Sequence, residues 1–167
     1  MKKWKEIKGF EGCYEISNNG ELRSLDRYVK HYKGGTRKYK GSVKKTRPDK
    51  DGYMRCNLKK DGKRYDFRIH RLVADAFLEN KKNLPIVNHK NGIKYDNRVY
   101  NLEWCSFENN TTHAVKNRLI KTKLTDKEAM EVFNSNSTHR EVAKKYGVNP
   151  SIVWRIKNKK AYKHLFK

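Results

Sequence analysis

Cysteine is scarce and unpatterned. Cys13, Cys56 and Cys105 are far apart and odd in number, and none sits in a Cys-x-x-Cys pair, which argues against a cysteine-based zinc site and a disulfide framework. That fits a reducing, intracellular compartment. Long apolar runs are missing as well. No segment approaches the roughly 20 residues needed to span a bilayer, and no signal-peptide apolar core follows the first residues. No membrane partner is therefore expected, and the cytoplasm is the expected location. Apolar residues are few overall, 35% against 35% charged. That is lean for one large core in 167 residues and suits several small units laid along a partner. The deficit in acids says most. Eighteen Asp and Glu stand against 41 Lys and Arg, giving a net charge of +23. Such a chain repels itself unless it meets a polyanion. Nucleic acid is the first candidate and is preferred over the second, an anionic membrane surface.

The most informative stretch runs from Pro85 to Ala114, P-I-V-N-H-K-N-G-I-K-Y-D-N-R-V-Y-N-L-E-W-C-S-F-E-N-N-T-T-H-A. Two short apolar segments, Ile86-Val87 and Leu102 to Trp104, flank a polar loop with Gly92 at a turn, and each reads as one strand of a two-stranded ribbon. After Ser106 the pattern becomes helical, with Ser106 as N-cap and Glu108 near the positive end of the helix dipole. The ribbon-plus-helix unit sets His89 in the first strand, Asn101 at the entry to the second, and Asn110 and His113 three apart on one helical face. Such a set suits metal-assisted phosphodiester cleavage.

On either side the chain is patterned differently. Residues 3–26 alternate through Tyr14-Glu15-Ile16 and Leu22 to Leu25, and Asn18-Asn19-Gly20 between them signals a hairpin with positive φ at both central turn positions. Trp4 and Phe10 can pack on that sheet. From Tyr28 to Lys50, Lys and Arg interleave with Tyr and Gly, as in a segment that contacts phosphates or in a solvated linker. Arg23, Arg37, Lys38, Lys44, Lys45 and Arg47 are the candidate DNA-contacting residues of this half. Tyr53 to Leu58 and Tyr65 to Ile69 form a second hairpin around Asp61-Gly62. Arg71 to Leu78 reads as a short helix with Leu72, Val73, Ala76 and Phe77 inward, and His70 beside it as a packed histidine. Lys116 to Lys123 is a basic link.

The tail then turns helical. Thr125 caps a helix reaching roughly Asn134, Ser137 or Thr138 caps a second, and Asn149 caps a third with Pro150 in its first position. Ala143, Gly147, Val148 and Val153 have the spacing of a helix-turn-helix. Ser151, Trp154, Arg155, Lys157 and Asn158 then lie on or near the exposed face of the recognition helix, with Trp154 left open between that face and the core.

The central stretch resembles the HNH nuclease motif in the form found in phage homing endonucleases. Asn88, His89, Asn91, Gly92, Asp96, Asn97, Asn101, Leu102, Trp104, Ser106, Asn110 and His113 stand in register with it. It departs at Asn88, where relatives often have Asp, and at Ile93, where Asn is usual. The N-terminal run W-K-E-I-K-G-F-E-G-C-Y-E-I-S-N-N-G-E-L-R-S resembles the small DNA-binding module that precedes the nuclease unit in many of these enzymes, and His70 to Ala74 also occurs in the family. The resemblance implies an α+β, modular chain: a β-rich DNA-binding unit with basic linker (residues 1–50), a ββα-metal nuclease (51–118) and a helix-turn-helix (119–167). It implies a monomeric, site-specific endonuclease on double-stranded DNA that uses Mg²⁺ or Mn²⁺ and nicks one strand or cuts both. His89 would be the general base and Asn101 would fix the loop that orients it. His113 would contact the phosphate, and Asn88 and Asn110 would hold the metal. A neutral amide at Asn88 is expected to lower metal affinity. The alternatives are a non-cleaving DNA-binding regulator on a degenerate HNH fold and, less favoured, an RNA-directed protein.

Overall fold

Period-two alternation in the first residues produces strands. The computed structural model describes residues 1–30, 34–120 and 122–166, so His31, Tyr32 and Lys33 of the basic stretch and Lys121 of the basic link lie outside the described residues. Strands β1 (Trp4–Glu6), β2 (Tyr14–Ser17) and β3 (Leu22–Ser24) form an antiparallel meander. The turn between β2 and β3 differs from the expected one. Only Gly20 has positive φ, at 82°, and Gly20 N–H donates to Ser17 O at 3.0 Å. This is a three-residue loop ending in a left-handed glycine, the form that restores the strand twist with one positive-φ residue instead of two.

The basic stretch forms more than turns. Strands β4 (Arg27–Lys30) and β5 (Thr36–Tyr39) pair as a hairpin, with all of β5 exposed. Strand β6 (Val43–Lys44) then joins β3 to complete a sheet of order β1-β2-β3-β6. Strands β7 (Arg47–Pro48), β8 (Met54–Lys60) and β9 (Lys63–Arg68) make a second sheet, β8 and β9 turning at Asp61–Gly62 as the sequence suggests. Helix α1 (Ile69–Phe77) starts two residues earlier than its periodicity implied, which places His70 inside it. Strands β10 (Ile86–His89) and β11 (Leu102–Cys105) form the central ribbon, with a 3-10 turn at Val99–Asn101 leading into β11.

Residues Met1–Ser106 are one of two compact units. Ile16 and Leu22 from the first sheet, Leu58 from β8, Ile69 and Val73 from α1, and Val87 and Leu102 from the ribbon pack into one hydrophobic cluster. The boundary expected at residues 50 and 51 falls between β7 and β8, which are paired. Each fully buried aliphatic side chain of this size contributes about 1.5–3 kcal/mol, so the ribbon is held by a core to which the N-terminal sheet contributes.

The second unit, Phe107–Lys167, contains α2 (Phe107–Lys116), α3 (Asp126–Asn134), α4 (His139–Tyr146), α5 (Pro150–Lys157) and a 3-10 turn at Lys163–Leu165. Thr125 with Glu128 and Thr138 with Glu141 form reciprocal capping boxes. Asn149 accepts from Ser151 N–H at 2.9 Å with Pro150 in the first turn. Gly147 ends α4 in the left-handed region, at φ 62°, a conformation that a Cβ disfavours. Ala129, Val132, Val142, Ala143, Val153 and Ile156 fill the core of this unit. Among the described residues no helix is long and apolar enough to cross a membrane.

Candidate active site

The ribbon pairs Val87 with Trp104, Asn88 with Glu103 and His89 with Leu102. Alternation along β10 therefore puts Val87 and His89 on one face and Asn88 on the other. His89 is 5% exposed. Its Nε2 lies 3.2 Å from Asn97 Oδ1, while Asn97 Nδ2 donates to Tyr95 O at 3.2 Å. With the Asn97 amide so oriented, Nε2 carries the proton and Nδ1 holds the basic lone pair. Burial lowers the His89 pKa, partly opposed by the Asn97 hydrogen bond and the Asp96 charge. The ring is neutral near pH 7, the state a general base requires.

His89 is packed in a ring cluster. His70 lies 5.0 Å away and Tyr53 6.0 Å, centroid to centroid, and Tyr53 is flanked by Arg68 and Lys94 at 4.3 and 5.0 Å. His70 is buried, and its Nδ1 has no hydrogen-bond partner among the described residues. Burial, with His89 and the arginines nearby, pushes its pKa down to about 3.

The loop after β10 is closed by Asn101. This buried residue donates to Asn91 Oδ1 at 3.0 Å and Asp96 O at 2.8 Å, and accepts from Asn91 N–H at 3.0 Å. Asp96 is clamped by Arg98 at 2.7 Å, which holds its carboxyl down at about 2, with the Asn91 amide adding to the effect. The N-terminal sheet reaches this loop. Val99 N–H donates to Asn18 O at 2.9 Å, and a Cβ on Gly20 would stand 2.7 Å from Asn97 Cβ. Asn88, 7% exposed, donates through Nδ2 to Glu103 Oε1 at 2.8 Å. In the second unit Asn110 and His113 lie on α2, half-buried and three residues apart on one face.

Residues 3–59 match the NUMOD4 motif. The chain is 36% identical over 129 residues to the DNA endonuclease I-HmuI of Bacillus phage SP01, covering 77% of this chain and 64% of that protein. It is 40% identical over 121 residues to an uncharacterised HNH endonuclease of Acanthamoeba polyphaga mimivirus, covering 72% of this chain and 32% of that one. The solved structure "DNA binding and cleavage by the HNH homing endonuclease I-HmuI" aligns with a TM-score of 0.57 at 27% identity over 92% of this chain and 88% of that one. The chain belongs to the HNH homing endonuclease family. It spans about a third of the mimivirus relative, at 32%, and just under two thirds of the phage one, at 64%.

HNH endonucleases generally depend on a divalent metal. Among the described residues no three or more His, Cys, Asp and Glu side chains gather as a metal-binding group, so these residues form no thiolate- or imidazole-rich cage. Asn88 carries an amide oxygen, and the Glu103 carboxylate lies 2.8 Å from its amide nitrogen. That set fits a hard cation that takes oxygen ligands and retains several waters.

The residues expected to touch DNA are placed unequally. Arg37 and Lys38 on β5, and Lys45 and Arg47, are exposed. Lys44 is half-buried and donates to the Tyr39 hydroxyl at 2.9 Å. Arg23 is engaged within the sheet, with Glu15 at 2.5 Å and the Trp4 ring at 4.2 Å. On α5, Ser151 and Arg155 are exposed and Trp154 is 43% exposed with Lys160 over its ring at 4.6 Å. This puts Trp154 outside the core of the unit. The Lys157 ammonium donates to the Ser135 carbonyl, and Asn158 Nδ2 donates to Trp154 O at 2.9 Å.

Sequence reasoning assigned no part in the site to Asn97, Tyr53 or Glu103. Asn97 stands in the HNH motif but carries no mark of its hydrogen bond to His89. Tyr53 reaches the site only through the packing of β8, β9 and α1. Glu103 follows from the register of β10 and β11, which the loop length alone does not fix.

Proposed function

We propose that the chain is a site-specific endonuclease that hydrolyses phosphodiester bonds in double-stranded DNA with Mg²⁺ or Mn²⁺, acting as a monomer and nicking one strand. The observation that carries this reading is His89: a buried, neutral imidazole whose Nε2 is fixed by Asn97 and whose Nδ1 is left basic, in a chain of this family. In the proposed reaction Nδ1 takes a proton from a water as its oxygen attacks phosphorus. The phosphorus bond to the leaving oxygen breaks, and that oxygen is then protonated from solvent. A divalent cation bound here would supply charge neutralisation at the phosphate and stabilisation of the departing oxygen. Asn88 would hold it through Oδ1. The family resemblance assigns Asn110 the same task and His113 a phosphate contact. Asn101 serves by bracing the loop that carries Asn97. Arg37, Lys38, Lys45, Arg47, Ser151, Trp154 and Arg155 are the exposed residues proposed to meet DNA. The three-module division is likewise proposed for function, with a DNA-contacting segment on either side of the nuclease.

The test is cleavage of supercoiled DNA carrying candidate target sites, with Mg²⁺, Mn²⁺ or EDTA, comparing wild type with His89→Ala. A metal-dependent shift to open circle, lost by at least about a hundredfold in the variant, is the expected result. Linear product would replace nicking by double-strand cutting. DNA that is bound but stays intact with every metal would support the regulator instead.

A further inference from the structure

The nearly buried Asn88 faces an acid across the ribbon. Asn88 and Glu103 are register partners, so their side chains stand on one face. With Nδ2 turned to Glu103 Oε1 at 2.8 Å, the Asn88 carbonyl oxygen Oδ1 points away, and no donor among the described residues takes it. Glu103 is half-buried and forms no salt bridge among the described residues. In a chain with 41 Lys and Arg, this carboxylate is directed at an amide instead.

An amide that donates to a carboxylate shifts electron density onto its carbonyl oxygen, because hydrogen bonds in a low-dielectric setting polarise one another. Groups that hold a metal ligand in place and raise its basicity typically change metal affinity by about 10–100-fold. We propose that Glu103 sets the affinity of this chain for a divalent cation: it orients and polarises the Asn88 amide and supplies the negative charge that a neutral ligand lacks. Glu103 is thus a positioning residue, and the inference rests on the nuclease reading for the role of Asn88.

Mn²⁺ binding to the full chain without DNA, followed by loss of the free-ion electron paramagnetic resonance signal, tests this. Glu103→Gln keeps the size and the acceptor but removes the charge. It is expected to weaken the Mn²⁺ Kd about tenfold or more while leaving the melting temperature and DNA binding in EDTA unchanged. Adding Asn88→Asp to Glu103→Gln returns a carboxylate to the same face and is expected to recover most of the loss, which a merely structural role for Glu103 would not produce. Should Glu103→Gln melt early, Asn88→Ala with Glu103 retained provides the second arm and is expected to lose Mn²⁺ binding. Equal Kd values for wild type and Glu103→Gln, a double variant no tighter than the single, full binding by Asn88→Ala, or no uptake by wild type at millimolar Mn²⁺ would each overturn the proposal. A wild type that takes up Mn²⁺ but leaves DNA intact sinks the nuclease reading alone.

Discussion

Asn97 does for His89 what a buried imidazole cannot do for itself: it selects the tautomer. The amide donates to the Tyr95 carbonyl and accepts from His89 Nε2, so the nitrogen that remains basic is determined by a backbone carbonyl. Asn97→Ala removes this selection and lets the ring tilt. Single-turnover cleavage should fall by about a hundredfold, the size of effect that a small misplacement of a reacting group produces, with the affinity for DNA unchanged. An unaltered rate would show that packing against His70 and Tyr53 orients the ring without Asn97. His70 itself makes a prediction about stability. Its pKa is held at about 3 in the folded chain against 6.5 ordinarily, so between those values the unfolded chain binds a proton that the folded chain does not. Stability is complete above pH 6.5 and is lost as pH falls toward 3, by roughly 1 kcal/mol per pH unit. Urea denaturation at several pH values should show this slope, and His70→Phe should reduce it by about one proton's worth. A variant with the wild-type slope would place the proton uptake elsewhere.

At the scale of elements, the turn between β2 and β3 supports the site loop from outside the HNH motif. Gly20 meets two demands together, a φ of 82° and a contact that would leave 2.7 Å between an added Cβ and Asn97 Cβ. Gly20→Ala should cost about 1–3 kcal/mol in stability from backbone strain and also reduce cleavage by displacing Asn97. Gly12→Ala is the control, because Gly12 has φ 66° but nothing within 4 Å of an added Cβ. It should lower the melting temperature and leave cleavage alone. Equal activity losses in the two variants would remove the link between this turn and the site. The same turn shows what was legible in the sequence. Asn18-Asn19-Gly20 marked the hairpin but not its turn type, because both types use these residues. The helices of the second unit were readable nearly to the residue, since Thr125, Thr138, Asn149 and Pro150 act within one turn of their own position. The β4–β5 hairpin was not, because β5 is exposed on both faces and leaves no apolar alternation to read. Glu103 and Tyr53 reach the site through strand register and tertiary packing, and neither is written in local spacing.

Over the whole molecule, the net charge of +23 predicts a large counterion-release part for the proposed DNA binding, but not which cations supply it. The structure separates them. Arg23 is already paired with Glu15 and stacked on Trp4, so bringing it to a phosphate would break both contacts. Arg37 and Lys38 stand exposed on β5, and each can neutralise a phosphate without losing such a contact. Every neutralised phosphate steepens the fall of log affinity with log salt by about 0.9. Wild type, titrated by fluorescence anisotropy against a labelled duplex over a range of KCl, should therefore lose about a thousandfold or more in affinity between 50 and 200 mM salt if six or more phosphates are met. The paired substitution Arg37→Ala/Lys38→Ala should flatten the slope by about 2 and weaken binding to all duplex sequences alike, whereas Arg23→Ala should leave the slope unchanged. If Arg23→Ala flattens the slope as much as the β5 pair does, the Glu15 contact gives way on DNA and the first sheet binds in a rearranged form. If neither changes it, the basic strands are not the electrostatic footprint, and the exposed cations of α5 become the place to look.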